Sequence, residues 1–449
     1  MKTYQDYEKA IAENRKTDFI RQAINEYKDS GDYKIALDAD EYEAERNVTV
    51  MTWQKYIYTQ TGQKVVDFTA DVNRLASNFF HRLTTQRVAY SLGNGISFAS
   101  ENSKEIKEKL GKTFDTVLYK AGHFARIHKV SYLFWNFDHA DFFKMTEFLP
   151  LFDENTGILR AGFRFWSLDW DKRPVTVVVY EEDGYEKYQT RQGGSGLDIV
   201  LVEEKKGYKQ DVAHNEVDPD EIVGESNYSV LPIFPMYGSM HRQSDLVGMK
   251  SKIDAYDLIK SGFANDVEEC AEIYWIISNA MGMNDQDLAK FRDRIKLNKI
   301  AVADTTNTPV TPYTQEIPVN AKETILKSLR EQIYEDYGGL DVHTVAAGDT
   351  NDHIDAAYQP MDEEADDFEY QVIECVQGIL DILGIEDVPV FNRNRISNQK
   401  EQTEMLMLVA DKLDDETILK KLPFISVDEV ESILAKKDAD TNARFEMEE

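Results

Sequence analysis

The sequence predicts an α+β protein, and three of its features lead to that prediction. Apolar residues recur every three to four positions up to about residue 95 and again beyond about residue 244, as they do in amphipathic helices. Between about residues 130 and 205 the apolar period is two, as in β-strands with one buried face. The chain of 449 residues is 42% hydrophobic, which is enough for more than one core, and it lacks the run of about 18 apolar residues that would cross a membrane.

The N-terminal half is predicted to begin with helices. The first 40 or so residues are expected to be helical and solvent-facing. A longer helical region is expected to follow Phe68 and to end near the glycines Gly93 and Gly95. The apolar stripes that indicate these helices are Ile20, Ile24 and Tyr27 in the first region and Val72, Leu75, Phe79 and Leu83 in the second.

Strands are predicted from Ile96 onward. The β-branched run Val175–Tyr180 is one of them, and Glu182-Asp183-Gly184 turns it back as a hairpin. The other positions that mark strands are Tyr132, Phe134, Phe163, Phe165, Trp166 and the run Ile199–Val202.

The chain beyond Pro235 is predicted to become helical again. Ser244 can cap a helix of about 25 residues that contains Gly248 and Gly262. These glycines indicate either close packing of neighbouring helices or a break into two helices. A compact insertion follows, with strands at Ile273–Ile277 and Ile300–Val302, a helix after Asn284, and a loop marked by Pro309, Pro312 and Pro318.

Two further long helices are predicted, with a loop between them. The first opens at Asn320, which forms a capping box with Glu323, and it stops at Gly338. Residues 340–358 have the composition of a long loop, and the next helix is expected to begin at Pro360 and to end at Gly384. Short helical pieces and a charged, disordered end are predicted beyond about residue 395.

The charge and the cysteines narrow the possible functions. A formal net charge of −31 excludes a protein that grips DNA over a broad basic surface, so any contact with DNA has to be local or weak. Charge alone favours the alternative, a soluble acidic protein that never meets nucleic acid. Cys270 and Cys375 lie in apolar helical patterns and are predicted to be buried free thiols. The polar, acidic N-terminus predicts no secretory signal, and both features fit a reducing cytoplasm.

A search for catalytic motifs finds little. The chain contains no GxxxxGK[ST] phosphate loop, and His123 and His128 are five positions apart, which is a poor spacing for a metal pair on one helix. One acidic cluster allows two interpretations, a magnesium site of a nuclease or a solvated helix N-terminus, and we favour the second. The cluster consists of Asp362, Glu363, Glu364, Asp366 and Asp367.

Several stretches of the chain resemble, in their order and spacing, the portal proteins of tailed double-stranded DNA phages, in particular those of long-tailed siphophages. The most specific match is a proline-containing strand followed by a helix that begins Ser-Asp-Leu and continues Ile-Asp-Ala-Tyr-Asp. The matching stretches are Asn73–Phe98, Ala121-Gly122, Leu231–Met236 with Ser244–Leu246 and Ile253–Asp257, and Leu413–Pro423.

The resemblance implies a portal fold with an α/β wing, a two-helix stem, a small α/β clip, a tunnel loop with a long wing helix, and a helical crown. The implied ranges are 1–243 for the wing, 244–270 for the first stem helix, 271–319 for the clip, 320–339 for the second stem helix, 340–358 for the tunnel loop, 359–392 for the wing helix and 393–449 for the crown with its acidic tail.

The resemblance also implies a function without catalysis, cofactor or metal. Twelve copies would form a ring at the capsid vertex, assembled in the host cytoplasm with scaffolding and major capsid proteins and then part of the virion, with no membrane involved. Double-stranded DNA would pass through the ring, and the terminase large subunit and then the head–tail connector would dock on it.

Particular residues are expected to carry these contacts. In the tunnel loop, the residues expected to face DNA are His343, Asp349, Thr350, Asn351 and His353. In the stem, Lys322, Lys327 and Arg330 are expected either to touch phosphates or to lie in subunit interfaces and solvent. In the clip, the docking residues are expected to be Asp285, Asp287, Lys290 and Arg294. Two other functions stay open at this point, a magnesium-dependent DNA-processing enzyme that uses the acidic cluster and another head-assembly protein.

Overall fold

Helices and strands are both abundant in the computed structural model of the protein, and the α+β prediction is confirmed. The structure describes residues 2–58, 62–66, 72–100, 102–167, 174–190, 198–213, 221–270, 274–277, 310–313, 318–341 and 351–395, with isolated residues beyond. The helices within these ranges are α1 (Tyr4–Ala12), α2 (Lys16–Asp29), α3 (Gly31–Glu43), α4 (Val48–Met51), α5 (Phe79–Leu92), α6 (Ser103–Leu110), α7 (Phe114–His128), α8 (Leu246–Cys270), α9 (Val319–Tyr337) and α10 (Asn351–Leu383).

The strands of the same ranges pair in antiparallel sheets. A five-stranded sheet has the order β10-β9-β8-β7-β6, a three-stranded sheet has the order β13-β4-β5, and four further pairs are β1-β2, β11-β12, β14-β15 and β16-β3. Their bounds are β1 (Tyr56–Tyr58), β2 (Lys64–Val66), β3 (Ile96–Phe98), β4 (Val130–Asn136), β5 (His139–Lys144), β6 (Phe148–Phe152), β7 (Leu159–Trp166), β8 (Thr176–Glu181), β9 (Gly184–Thr190), β10 (Ile199–Lys206), β11 (Lys209–Ala213), β12 (Glu221–Ser226), β13 (Ile233–Tyr237), β14 (Tyr274–Ile277), β15 (Val310–Tyr313) and β16 (Pro389–Phe391).

The chain divides into two compact units. The larger unit comprises residues 1–45, 78–250 and 334–449, and the smaller unit comprises residues 46–77 and 251–333. Apolar side chains of the first helices, of α7, of α10 and of the two larger sheets form the main core of the larger unit. Ile20, Ile24 and Tyr27 are buried in this core, so the N-terminal helices are less exposed than predicted.

Many boundaries follow from the predicted signals. The hairpin of β8 and β9 turns at Glu182 and Asp183, as the turn residues predict. Gly338 and Gly384 follow the last residues of α9 and α10 with φ of 66° and 67°, a left-handed conformation that glycine adopts without strain. Ser244 accepts a hydrogen bond from the backbone N–H of Leu246 at 3.2 Å, close to the predicted cap.

Four predictions of local structure are wrong. Residues 72–78 are not helical, and α5 begins only at Phe79. The third long helix begins at Asn351 and carries Pro360 in its interior. Pro312 lies in strand β15, paired with Trp275, where a loop was expected, and a two-stranded sheet tolerates proline because its strands are both edges. Asn320 is already helical, because α9 begins at Val319.

The long helix α8 is continuous from Leu246 to Cys270, so its two glycines do not break it. Among the residues that the structure describes, no atom outside the local helix lies within 4 Å of the position that a Cβ would take at Gly248 or Gly262. Close packing within the described part of the chain therefore does not explain either glycine.

Candidate functional site: the long helices and their junction

Three long helices meet in the larger unit around two buried arginines. Arg126 of α7 is 1% exposed and donates from Nε to Asp245 Oδ2 at 2.9 Å and from Nη1 to the Gly238 carbonyl at 2.5 Å. Tyr337, at the end of α9, donates its hydroxyl to the same Asp245 oxygen at 2.6 Å. One carboxylate just before α8 thus joins the start of that helix to the end of α9.

The second arginine extends this junction to α10. Arg87 of α5 donates to the Tyr337 carbonyl, and its Nη1 lies 3.4 Å from Glu364 Oε2 on α10. Glu364 also lies 3.6 Å from Arg126. Burial alone would lower the pKa of Arg126, but Asp245, Tyr337 and Glu364 outweigh it and raise that pKa above the ordinary value.

An open cleft of about 440 Å³ lies over these two arginines. Its wall is rich in carboxylates, with Glu335 and Asp336 from α9 and Glu363, Glu364 and Asp367 from α10. Of these carboxylates, Glu364 belongs to the network of the two arginines. The junction therefore acts chemically as a set of ion pairs and hydrogen bonds that hold backbone and side chains in place.

The acidic cluster of α10 is mostly paired with arginines. Arg393, just after β16, contacts Asp362 at 3.0 Å and Glu369 at 2.8 Å and also pairs with Asp366. Arg395 pairs with Asp362 as well. Asp367 accepts the backbone N–H of Met240 at 3.1 Å. Among the residues that the structure describes, no group of three or more histidine, cysteine, aspartate or glutamate side chains is placed to hold a metal ion.

The histidines of α7 each meet a different carboxylate of α3. His128 Nε2 lies 2.7 Å from Asp40 Oδ1, and His123 Nε2 lies 2.8 Å from Glu43 Oε1. His81 Nδ1 reaches the same Glu43 oxygen at 2.7 Å. Burial would raise the pKa of Glu43, but the hydrogen bonds and charges of His123 and His81 outweigh burial and lower that pKa.

In the smaller unit, α8 contacts α9 through Lys322, and it contacts the backbone of Asn73 and Leu75. Lys322 of α9 pairs with Asp266 of α8 and lies 5.5 Å from the ring centre of Phe263. On another face of α8, Ser261 and Asn265 accept backbone N–H groups of residues 75 and 73. These contacts tie two long helical segments and one non-helical segment together.

Only some of the residues predicted to face DNA or to dock partners lie in the ranges that the structure describes. Lys327 is 78% exposed and 3.9 Å from Glu331, whereas Lys322 is half-buried in its pair with Asp266. Arg330 is half-buried and has a contact of its own. Asn351 and His353 lie in the first turn of α10. The residues outside the described ranges are His343, Asp349 and Thr350 of the loop and Asp285, Asp287, Lys290 and Arg294 of the insertion.

Sequence reasoning missed the residues that organise the junction. Arg87 and Arg126 each stand in an apolar helical stretch, and a basic residue in such a stretch is the available signal for a buried ion pair.

Sequence reasoning also missed three polar residues of α8 in the smaller unit. Asp257, Ser261 and Asn265 recur every four positions, which places their side chains on one helix face. Cys375, as predicted, is a buried free thiol, and the side chain of Cys270 lies outside the described residues. No described helix is long and apolar enough to cross a membrane.

Comparisons with known proteins give one consistent result. The model of the family described as phage portal protein, SPP1 Gp6-like, matches residues 32–443. The portal protein of Clostridium phage phiCD119 is 23% identical over 393 residues, which covers 80% of this chain and 84% of the relative. The portal protein of Bacillus phage SPP1 is 23% identical over 431 residues, 87% of this chain and 80% of the relative.

A solved structure also resembles the fold. It is described as the neck of a native GTA particle computed with C12 symmetry, and one of its chains matches with a TM-score of 0.41 at 10% identity. The match covers 77% of this chain and 89% of the other.

Proposed function

The chain belongs to the family of SPP1 Gp6-like phage portal proteins, and from this we propose that copies of it form a ring at the capsid vertex, through which double-stranded DNA enters and leaves. The match to residues 32–443 carries this proposal, because it spans nearly the whole chain. The two portal relatives, aligned over four fifths of this chain or more, support it.

The smaller unit supports the proposed stem and clip. Helix α8 has 25 residues and α9 has 19, so they are about 37 and 28 Å long. The chain between them contains the antiparallel pair of β14 and β15. Two long helical segments in contact, joined through a small sheet, are the form that a stem with a clip requires.

The charge supports a channel that does not retain DNA. Twelve copies at −31 each would carry a formal charge of about −370. Negative walls repel phosphates, so a duplex can slide without tight binding. Of the three predicted stem contacts, Lys327 is the best placed for a weak phosphate contact because its side chain is the most exposed. Lys322 is a weaker candidate because Asp266 already pairs with it.

We extend the proposal to the partners that the resemblance implies. The clip would dock the terminase large subunit and later the head–tail connector, and the capsid and scaffolding proteins would surround the ring. The acidic cluster does not favour a DNA-processing enzyme, because Asp362 and Asp366 are paired with Arg393, Glu364 is paired with Arg87, and a magnesium site needs free carboxylates.

Electron microscopy of the purified chain, with light scattering for its mass, tests the proposal. Rings of about twelve copies with a central channel are expected. If the chain alone stays monomeric, it should be co-expressed with the scaffolding and major capsid proteins of its phage, because assembly can require them. The absence of rings under both conditions would contradict the portal function.

A further inference from the structure

One face of α8 carries three buried polar side chains at regular intervals. Asp257, Ser261 and Asn265 are 0%, 2% and 8% exposed, and we call them the polar ladder. Residues four apart on a helix lie on the same face and are separated by about 6 Å along the axis. Buried polar groups need partners, so the ladder must be matched by something beside it.

The backbone of residues 73–77 provides that match. Asn73 donates its N–H to Asn265 Oδ1 at 2.7 Å, and Leu75 donates its N–H to Ser261 Oγ at 2.9 Å. Two residues of extended chain advance by about 6.6 Å, close to the spacing of the ladder. This agreement explains why alternate amides meet successive turns of α8. Ser261 and Asn265 therefore contact the main chain of this segment and not its side chains.

The same face of α8 also binds the first residues of segment 46–77, which is the part of the N-terminal half that lies in the smaller unit. Asn47 donates from Nδ2 to Asp257 Oδ2 at 2.8 Å, and Thr49 donates its hydroxyl to Asp254 Oδ2 at 2.8 Å. Ser77 lies beside Asp257 and partly offsets the rise that burial causes in the pKa of its carboxyl, although among the described residues the Ser77 hydroxyl has no hydrogen-bond partner. The beginning and the end of segment 46–77 therefore both lie beside the carboxylate of Asp257.

Little apolar burial holds residues 72–78 in place. None of their side chains is buried, and Leu75 is 37% exposed. A segment held mainly by a few hydrogen bonds opens at lower free energy than the core of a protein. Its neighbour α5, by contrast, begins with the buried side chains of Phe79 and Phe80.

We propose that the polar ladder of α8 is a binding site for an extended polypeptide backbone, and that residues 72–77 occupy it as a strap that opens and closes as one unit. The occupant is this segment of the same chain, which presents the N–H groups of Asn73 and Leu75 at alternate positions. The proposal goes beyond the portal function and does not depend on it, since its contacts lie within the smaller unit of one chain.

Hydrogen–deuterium exchange of the full-length protein, resolved to single residues, tests the proposal. In the natural chain the amides of Asn73 and Leu75 should exchange slowly, and those of Arg74 and Ala76 quickly. The variant Ser261→Ala removes one acceptor and should accelerate exchange at both Asn73 and Leu75, by about fivefold for one net hydrogen bond. The matched control is Ser251→Ala, on an exposed position of the same helix, which should change neither amide.

Two results would overturn the proposal. Equal exchange at all four amides would show that the ladder does not select alternate N–H groups. Acceleration at Leu75 alone in Ser261→Ala would show that the segment does not open as a unit. Slow exchange in strand β8, measured in the same samples, confirms that each variant is folded.

Discussion

Two buried arginines fix the geometry of the junction at the scale of single residues. Arg126 and Arg87 share the carboxylates of Asp245 and Glu364, and together they hold the backbone carbonyls of Gly238 and Tyr337. A guanidinium suits this role because its donors form a fixed fork and it stays charged when buried. The consequence is that removing Asp245 would leave two buried arginines without the buried carboxylate that they share.

We expect Arg126→Ala to destabilise the chain by about 3–5 kcal/mol, because it leaves Asp245 buried without its main partner. Urea unfolding of the unassembled chain measures this change. The control is Arg21→Ala, which removes an exposed pair with Asp18 and should cost less than about 1 kcal/mol. Equal effects of the two substitutions would contradict the importance that we give to the buried network.

A second residue-scale prediction concerns pH. Burial raises the pKa of Asp257 above its ordinary value of 3.8, although Asn47 and Ser77 partly offset it. A carboxyl with a raised folded pKa binds its proton more tightly in the folded state, so its contribution to stability falls as pH rises from the ordinary value to the folded one.

As pH rises above about 4, Asp257 lowers the unfolding free energy of the natural chain. Asp257→Asn lacks this contribution, so its unfolding free energy should fall less with pH, or rise more, than that of the natural chain. Urea unfolding at a series of pH values measures the difference between the two chains. Asp18→Asn serves as the control, because its side chain is 66% exposed. A difference between the natural chain and Asp257→Asn that is constant with pH would contradict the prediction.

At the scale of elements, local sequence predicted those structures whose stabilising contacts are themselves local. The hairpin of β8 and β9 and the ends of α9 and α10 depend on turn residues and glycines, and they lie where the sequence places them. Residues 72–78 have a helical apolar spacing, yet their partners Ser261 and Asn265 are 186 and 192 positions away. No local pattern can reveal that competition.

The start of helix α10 was predicted wrongly for a different reason, because Pro360 lies inside the helix and not at its first position. Pro360 removes one backbone hydrogen bond, which normally ends or kinks a helix. Here the turns on both sides of Pro360 are anchored by apolar contacts, since Ile354, Tyr358 and Met361 are buried against Tyr90 and Leu340. The ring of Tyr358 also stacks on that of Tyr90 at 5.7 Å. Tertiary packing therefore extends the helix through the proline.

The two glycines of α8 give a prediction at the same scale. Gly262→Ala adds a methyl group into open space in the chain and removes a residue that weakens helices, so the unassembled chain should gain up to about 1 kcal/mol in urea unfolding. The opposite is expected for Gly238→Ala, whose Cβ would lie 2.5 Å from the carbonyl oxygen of Ala125. A loss of stability in Gly262→Ala would contradict this prediction. A lower yield of rings from the stabilised variant would locate a neighbouring copy at this glycine.

At the scale of the whole molecule, the acidic charge is the dominant property. Charges of one sign repel each other when copies gather, and dissolved salt screens the repulsion over about 10 Å at 0.1 M. The charge that we propose to keep DNA mobile therefore also opposes ring assembly.

We expect the fraction of chains in rings to rise as sodium chloride increases from about 0.05 to 0.3 M, because the Debye length falls over this range. Light scattering at constant protein concentration measures the fraction. Uncharged sucrose serves as a control for general solute effects. Dissociation of rings by salt would mean that ion pairs between copies outweigh the net repulsion.

The strap of residues 72–77 has a mechanical consequence. It runs along α8, and its hydrogen bonds to Ser261 and Asn265 are spaced along the direction of the helix. A pull along the helix axis loads both bonds in shear, so they share the force and resist together. A pull at Ser77 away from the helix peels the bonds one after another and needs less force. The strap is thus stiff against sliding and compliant against lifting.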